Sequence, residues 1–170
     1  MKMKFITAVV AFSATFFFSL LLVGFPKTNY SLQHQCSNQA RYKVTSLLEQ
    51  DIAFRHERDT QVRSLYLRND SSTSIYTSTE YAEIVTEYVR YSESLDDTTL
   101  PQDFRFAWRD HMRAWREHAN FLNQAEGSFF SEDINRSEFF KLFWRQDQEI
   151  TDTWRKVKVV GRKYGANVQY

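Results

Sequence analysis

The chain has 170 residues, 42% of them hydrophobic and 25% charged, with a formal net charge of +1. This balance belongs to a chain that folds, and four glycines and two prolines are too few for the frequent turns of an all-β design. Near-neutrality leaves no surplus of lysine and arginine to neutralise phosphates, which excludes a nucleic-acid binder, and the single cysteine, Cys36, excludes an internal disulfide framework or a multi-cysteine metal site.

Lys2 and Lys4 belong to a four-residue tail, 1–4, and from Phe5 to Phe25 the chain reads FITAVVAFSATFFFSLLLVGF without one charge. At about 1.5 Å rise per residue such a helix matches a hydrocarbon core roughly 30 Å thick, so 5–25 reads as a single transmembrane signal anchor. The competing reading is a cleaved secretory signal. Its apolar region is about 7–15 residues long and ends at a small-x-small site, whereas this run ends Leu22-Val23-Gly24-Phe25-Pro26. A lipid-attached terminus is excluded because His34 and Gln35, not small apolar residues, precede Cys36. The positive flank places the N-terminus in the cytoplasm and the rest of the chain outside, facing the periplasm from the inner membrane if the source is bacterial. Four residues inside are too few to carry a signalling output. Thr7, Ala11, Thr15 and Ser19 recur every fourth residue and form a small, weakly polar stripe suited to packing against a partner membrane helix, although no Gly-x-x-x-Gly accompanies it.

Residues 26–31 form a short linker, and 32–170 an extracytoplasmic domain expected to be all-α, a bundle of about four helices. Cys36, close to the bilayer and without a partner in its own chain, is a candidate for an intermolecular disulfide; an idle thiol is the plainer alternative. The first helical stretch runs from about Leu32 to Arg68. Its apolar periodicity is the poorest, because Arg55-His56-Glu57-Arg58-Asp59 interrupts it, so it reads as two helices or one long solvated helix. A Ser/Thr-rich loop from Asn69 to Thr79 ends in a candidate capping box of Thr77 and Glu80. Tyr81, Ile84, Val85, Tyr88, Val89 and Leu95 then define the second helix.

Pro101 suits the first turn of a third helix, with Thr99 as a candidate cap and Asp103 near the positive end of its dipole. Phe104, Ala107, Trp108, His111, Trp115, His118 and Leu122 form one stripe, and Gly127 marks the end. The fourth helix carries Phe139, Phe140, Phe143, Ile150, Trp154, Val157, Val160 and Tyr164 with a period near 3.5, acids early and cations late, and Gly161 and Gly165 as candidate stops.

Candidate chemistry is sparse. His111 and His118 share a helix face with Trp108 and Trp115, and these four are the candidate residues for a small ligand or haem. Two turns separate the histidines by about 10.5 Å, too far for one metal to take both, and each is expected to be solvated or hydrogen-bonded at the surface. Ser31, Ala53, Trp108 and Trp115 precede the four histidines by three, so no Glu-x-x-His metal pair exists, and no metal site or cofactor is expected. The aromatics, 16% of the chain, fill the core in the plain reading and line a pocket in the sharper one. Arg109, Arg113 and Arg116 share the face away from the tryptophans, an anion or headgroup site in one reading and a solvated face with Asp110–Arg113 and Arg113–Glu117 pairs in the other. Asn29, Asn69 and Asn135 begin glycosylation acceptor triplets, which matter only in a eukaryotic source. No nucleophile elbow, phosphate loop or Cys/His pair is present, which points away from an enzyme.

The expected function is a membrane-anchored helical interaction module that docks onto another envelope protein or onto itself. The alternative is a small-ligand or haem-binding bundle.

Overall fold

A computed structural model describes residues 38–68, 75–128 and 136–166. The tail, the apolar run with Thr7, Ala11, Thr15 and Ser19, the linker and Cys36 lie outside the described residues. Four helices account for nearly all of what is described: α1 (Asn38–Arg68), α2 (Thr79–Glu93), α3 (Gln102–Ser128) and α4 (Arg136–Lys163). There is no strand among the described residues, and no described helix is long and apolar enough to cross a membrane. The all-α bundle expected of the domain is the architecture observed.

Of the two readings of the first stretch, two helices or one long helix, the second is observed: α1 is continuous through Arg55–Asp59. On α1, Val44, Leu47, Leu48 and Leu65 are buried, and so is Asp51. Arg55 and Arg58, four and seven residues beyond Asp51, lie on that same face. The polar interruption is therefore not a break but a change in what the inward face carries, which explains the weak periodicity.

The start of α2 corrects the capping expectation by one residue. Ser78, with extended backbone (φ −85°, ψ 145°), is the N-cap, and its hydroxyl accepts from the Tyr81 amide at 3.2 Å. The same hydroxyl donates to the Ile75 carbonyl at 2.7 Å, tying the cap to the loop before it. Between α2 and α3, Asp96 accepts from the Thr98 amide and hydroxyl at 2.9 and 2.6 Å, closing a local turn that delivers buried Leu100 to the core. Pro101 stands just before α3, where its carbonyl accepts from the Arg105 amide at 2.9 Å. Helix α3 runs one residue past Gly127, to Ser128.

Helix α4 passes through Gly161 and ends at Lys163. Gly165 adopts φ 71°, its amide donates to the Arg162 carbonyl at 2.9 Å, and the Ala166 amide donates to the Gly161 carbonyl at 3.2 Å. This is a Schellman ending, with the left-handed residue a glycine because a Cβ opposes that conformation. Gly161 is instead a packing position: a methyl group there would lie 3.5 Å from side-chain carbons of Leu48 and Phe104.

The most extensive packing joins α3 to α4, followed by α2 to α3 and α1 to α2. The core runs the length of the bundle, with Phe104, Trp108 and Val157 toward one end and Phe139, Phe143 and Leu122 toward the other. Tyr76 from the loop before α2 stacks its edge against Tyr81 and tilts against Phe143, at 5.3 and 5.1 Å between centroids.

Candidate functional site

The inward charges of α1 meet hydroxyls of α2 and aromatic faces of α2, α3 and α4, forming a buried layer inside the bundle. Asp51 is wholly inaccessible to solvent. Its Oδ1 accepts from the Tyr88 hydroxyl at 3.0 Å and the Ser92 hydroxyl at 2.8 Å, both on α2. Its Oδ2 is buried and meets no donor among the described residues. Burial pushes the Asp51 carboxyl above its ordinary range, against the opposing pull of the Ser92 hydroxyl, Arg55, the Tyr88 hydroxyl and Arg58. The Tyr88 phenol is driven upward as well, first by burial and then by the Asp51 charge beside it.

The two arginines are held by aromatic faces. The Arg55 guanidinium lies 4.4 Å from the ring centre of Trp154, and that of Arg58 lies 4.7 Å from Tyr88 and 4.6 Å from Trp115. Such contacts strengthen as water is withdrawn, and the Arg58 side chain is only 13% exposed. Arg58 also makes a two-point contact with Asp59, at 3.0 and 2.7 Å.

Of the four residues singled out on α3, Trp108, His111, Trp115 and His118 are all buried, so the histidines are core rather than surface groups. The Trp115 indole N–H donates to His111 Nε2 at 3.2 Å, and His111 Nδ1 pairs with the Thr153 hydroxyl oxygen of α4 at 3.0 Å. Thr153 in turn donates to a carbonyl of the preceding turn, Glu149 at 2.9 Å or Ile150 at 3.0 Å. With Nε2 accepting and Thr153 donating away, the ring proton resides on Nδ1. His111 is thus neutral, and burial, with Arg55 and Arg58 nearby, holds it down to about 3. The Nε2 lone pair is engaged by the indole, so His111 would bind a metal only if Trp115 withdrew. His118 Nδ1 pairs with Gln146 Oε1 at 3.1 Å, and burial lowers that imidazole too.

The structure therefore brings His111 and Trp115 into one network with Arg58. Trp108 is tilted against His111, 6.1 Å between ring centroids. His118 sits one layer further along, against Phe143 and Phe121. Asp51, Arg55 and Arg58 escaped the sequence reading because charged residues at an interruption are ordinarily solvent-facing. Their spacing of four and three, in register with Leu47, Leu48 and Leu65, was the signal. Among the described residues no three His, Cys, Asp or Glu side chains converge as a metal ion requires.

The outer arginine face is ion-paired throughout. Arg109 binds Asp97 at 2.6 and 2.8 Å, Arg113 contacts Asp110 and, at 3.8 Å, Glu117, and Arg116 contacts Glu93. These residues border an open groove of about 900 Å³ that also exposes Phe106. The pairs anticipated for a solvated face are present.

No family model, no curated protein and no solved structure matches this chain.

Proposed function

We propose that this chain is a membrane-anchored helical interaction module: residues 5–25 hold it at a bilayer, and the helical domain docks onto another envelope protein or a second copy of itself. The observation that supports the docking reading is the outward face of α4, where Trp144 is 57% and Val159 54% exposed among lysines and arginines. Exposed tryptophan beside arginine is the composition of interface anchors, and a folded domain gains nothing by leaving such groups in water. The buried layer serves this function indirectly, by setting the helices in register so that the outer faces are rigid. A haem or small-ligand bundle on Trp108, His111, Trp115 and His118 is less well supported, because both His111 nitrogens already have protein partners.

The test is crosslinking of the full-length chain in membranes, followed by purification in mild detergent. Adducts heavier than the monomer are expected, and a product that stays monomeric at every crosslinker concentration removes the docking reading. Mass spectrometry of the mature protein checks the anchor independently: a product beginning downstream of Gly24 removes it.

A further inference from the structure

We infer that the outward face of α4 docks onto the outward face of α2 of a second copy of this chain, charge against charge around an exposed tryptophan. This deepens the docking reading and rests on it.

Opposite its buried residues Phe143, Ile150 and Val157, α4 presents one strip carrying Lys141, Arg145, Arg155, Lys156, Arg162 and Lys163, all exposed. Asp152, half-buried, and exposed Glu138 and Glu149, each seven residues before a cation of the strip, are the carboxylates on that side, so the strip is cationic by six to three. Trp144 and Val159 stand in the same strip, at helical offsets of 11 and 4 residues from Arg155. Three of the cations have partners already: Arg155 with Asp152 at 2.7 Å, Lys156 with Asp110 at 3.3 Å and Lys163 with Asp103 at 3.4 Å. Each of those cations remains at least 60% exposed, and solvated pairs of this kind exchange readily for a competing carboxylate.

Helix α2 has the opposite character. It carries four carboxylates and one arginine, and Glu80, Glu83 and Glu87 lie on the side away from buried Ala82, Val85 and Val89. Glu80 and Glu87 are seven residues apart, as are Arg155 and Arg162, and Lys156 and Lys163. All three pairs therefore repeat at about 10.5 Å along their axes, so one helix laid on the other aligns several opposite charges at once.

The geometry also narrows the kind of assembly. Helix α2 packs mainly on α1 and α3, and α4 mainly on α3, so the two faces sit on different helices and one copy cannot satisfy both on itself. A twofold contact of α4 on α4 would oppose two strips in which cations outnumber carboxylates. The contact joins unlike faces, so it either closes as a reciprocal pair, each α4 on the other copy's α2, or propagates from copy to copy.

The test is sedimentation of the full-length chain in mild detergent over a range of concentrations, at about 0.05 M and about 0.5 M salt. Wild type is expected to gain mass with concentration, less so at high salt. Glu80→Lys/Glu83→Lys/Glu87→Lys, and separately Lys141→Glu/Arg145→Glu/Arg155→Glu, should each weaken association about tenfold or more, and the six substitutions combined should restore it. Circular dichroism checks that each variant keeps its helices, which is expected because five of the six positions are exposed and Glu87 is half-buried. Association that ignores both reversals, or that the combined variant fails to recover, overturns the inference while leaving docking intact. A chain that is monomeric alone but crosslinks through α4 to a different protein overturns it too. A chain that associates with nothing removes the docking reading as well.

Discussion

Trp115 donates its indole N–H to His111 Nε2 across one turn of α3, and that bond, with Thr153 at the other nitrogen, selects the tautomer of a histidine that burial keeps neutral. It engages the lone pair, assigns the ring proton to Nδ1, and thereby directs Nδ1 at Thr153 on the neighbouring helix. A side chain that resembles a ligand in the sequence is a structural cross-brace between α3 and α4.

Removing the donor leaves an acceptor buried without a partner. Trp115→Phe should therefore lower stability by about 1–3 kcal/mol beyond the loss of ring area, because the desolvated nitrogen regains nothing in the folded state. Urea unfolding followed by circular dichroism reads this directly. A loss below about 0.5 kcal/mol would mean that the bond contributes little.

His111 also gives the domain an acid-sensitive limb. The unfolded imidazole titrates near 6.5 and the folded one at about 3, so between those values the unfolded chain holds the extra proton. Stability from this group is complete above pH 6.5 and is lost as the pH falls toward 3, with a slope of up to about 1.4 kcal/mol per pH unit. His111→Gln should remove most of that slope. Urea midpoints for both proteins between pH 4 and 6 test it, and parallel curves would show that His111 is not the group responsible.

Asp51 works in the reverse direction. Its folded value is raised, so its contribution is greatest below the unfolded value of 3.8 and is lost as the pH climbs through the folded value. Asp51→Asn keeps an acceptor for the Tyr88 and Ser92 hydroxyls and carries no charge, so it should stay within about 1 kcal/mol of wild type at pH 7 and drop that pH dependence. Asp51→Ala strands the buried Tyr88 and Ser92 hydroxyls and empties a fully buried site, and should cost about 2–4 kcal/mol. Equal losses in the two variants would show that the carboxylate charge, which both remove, rather than volume or the retained acceptor, is what matters at this position.

The two glycines near the end of α4 should respond oppositely. Gly165→Ala forces a side chain into positive φ and toward Arg41, and should cost about 1–2 kcal/mol. Gly161→Ala places a methyl at ordinary contact distance from Leu48 and Phe104 within a helix, and should be neutral or stabilising by up to about 1 kcal/mol. Thermal melting of the pair checks this, and a Gly161 variant that is the more damaged of the two would contradict it.

Local regularities in the chain were enough to place α2, α3 and α4, since each repeats apolar residues at three- and four-residue steps, and α4 also ends at a glycine with a recognisable backbone preference. They also marked Trp108, His111, Trp115 and His118 as one face, because shared register is a property of a single helix. Depth was not legible in the same way. Whether Arg58 lies in water or over Trp115, whether His111 is a ligand or a brace, and whether Asp51 interrupts a helix or anchors a core all depend on what the other three helices place opposite. Periodicity along one helix is a local property, whereas burial and protonation arise from contacts between residues more than thirty positions apart, and only the assembled bundle brings those together.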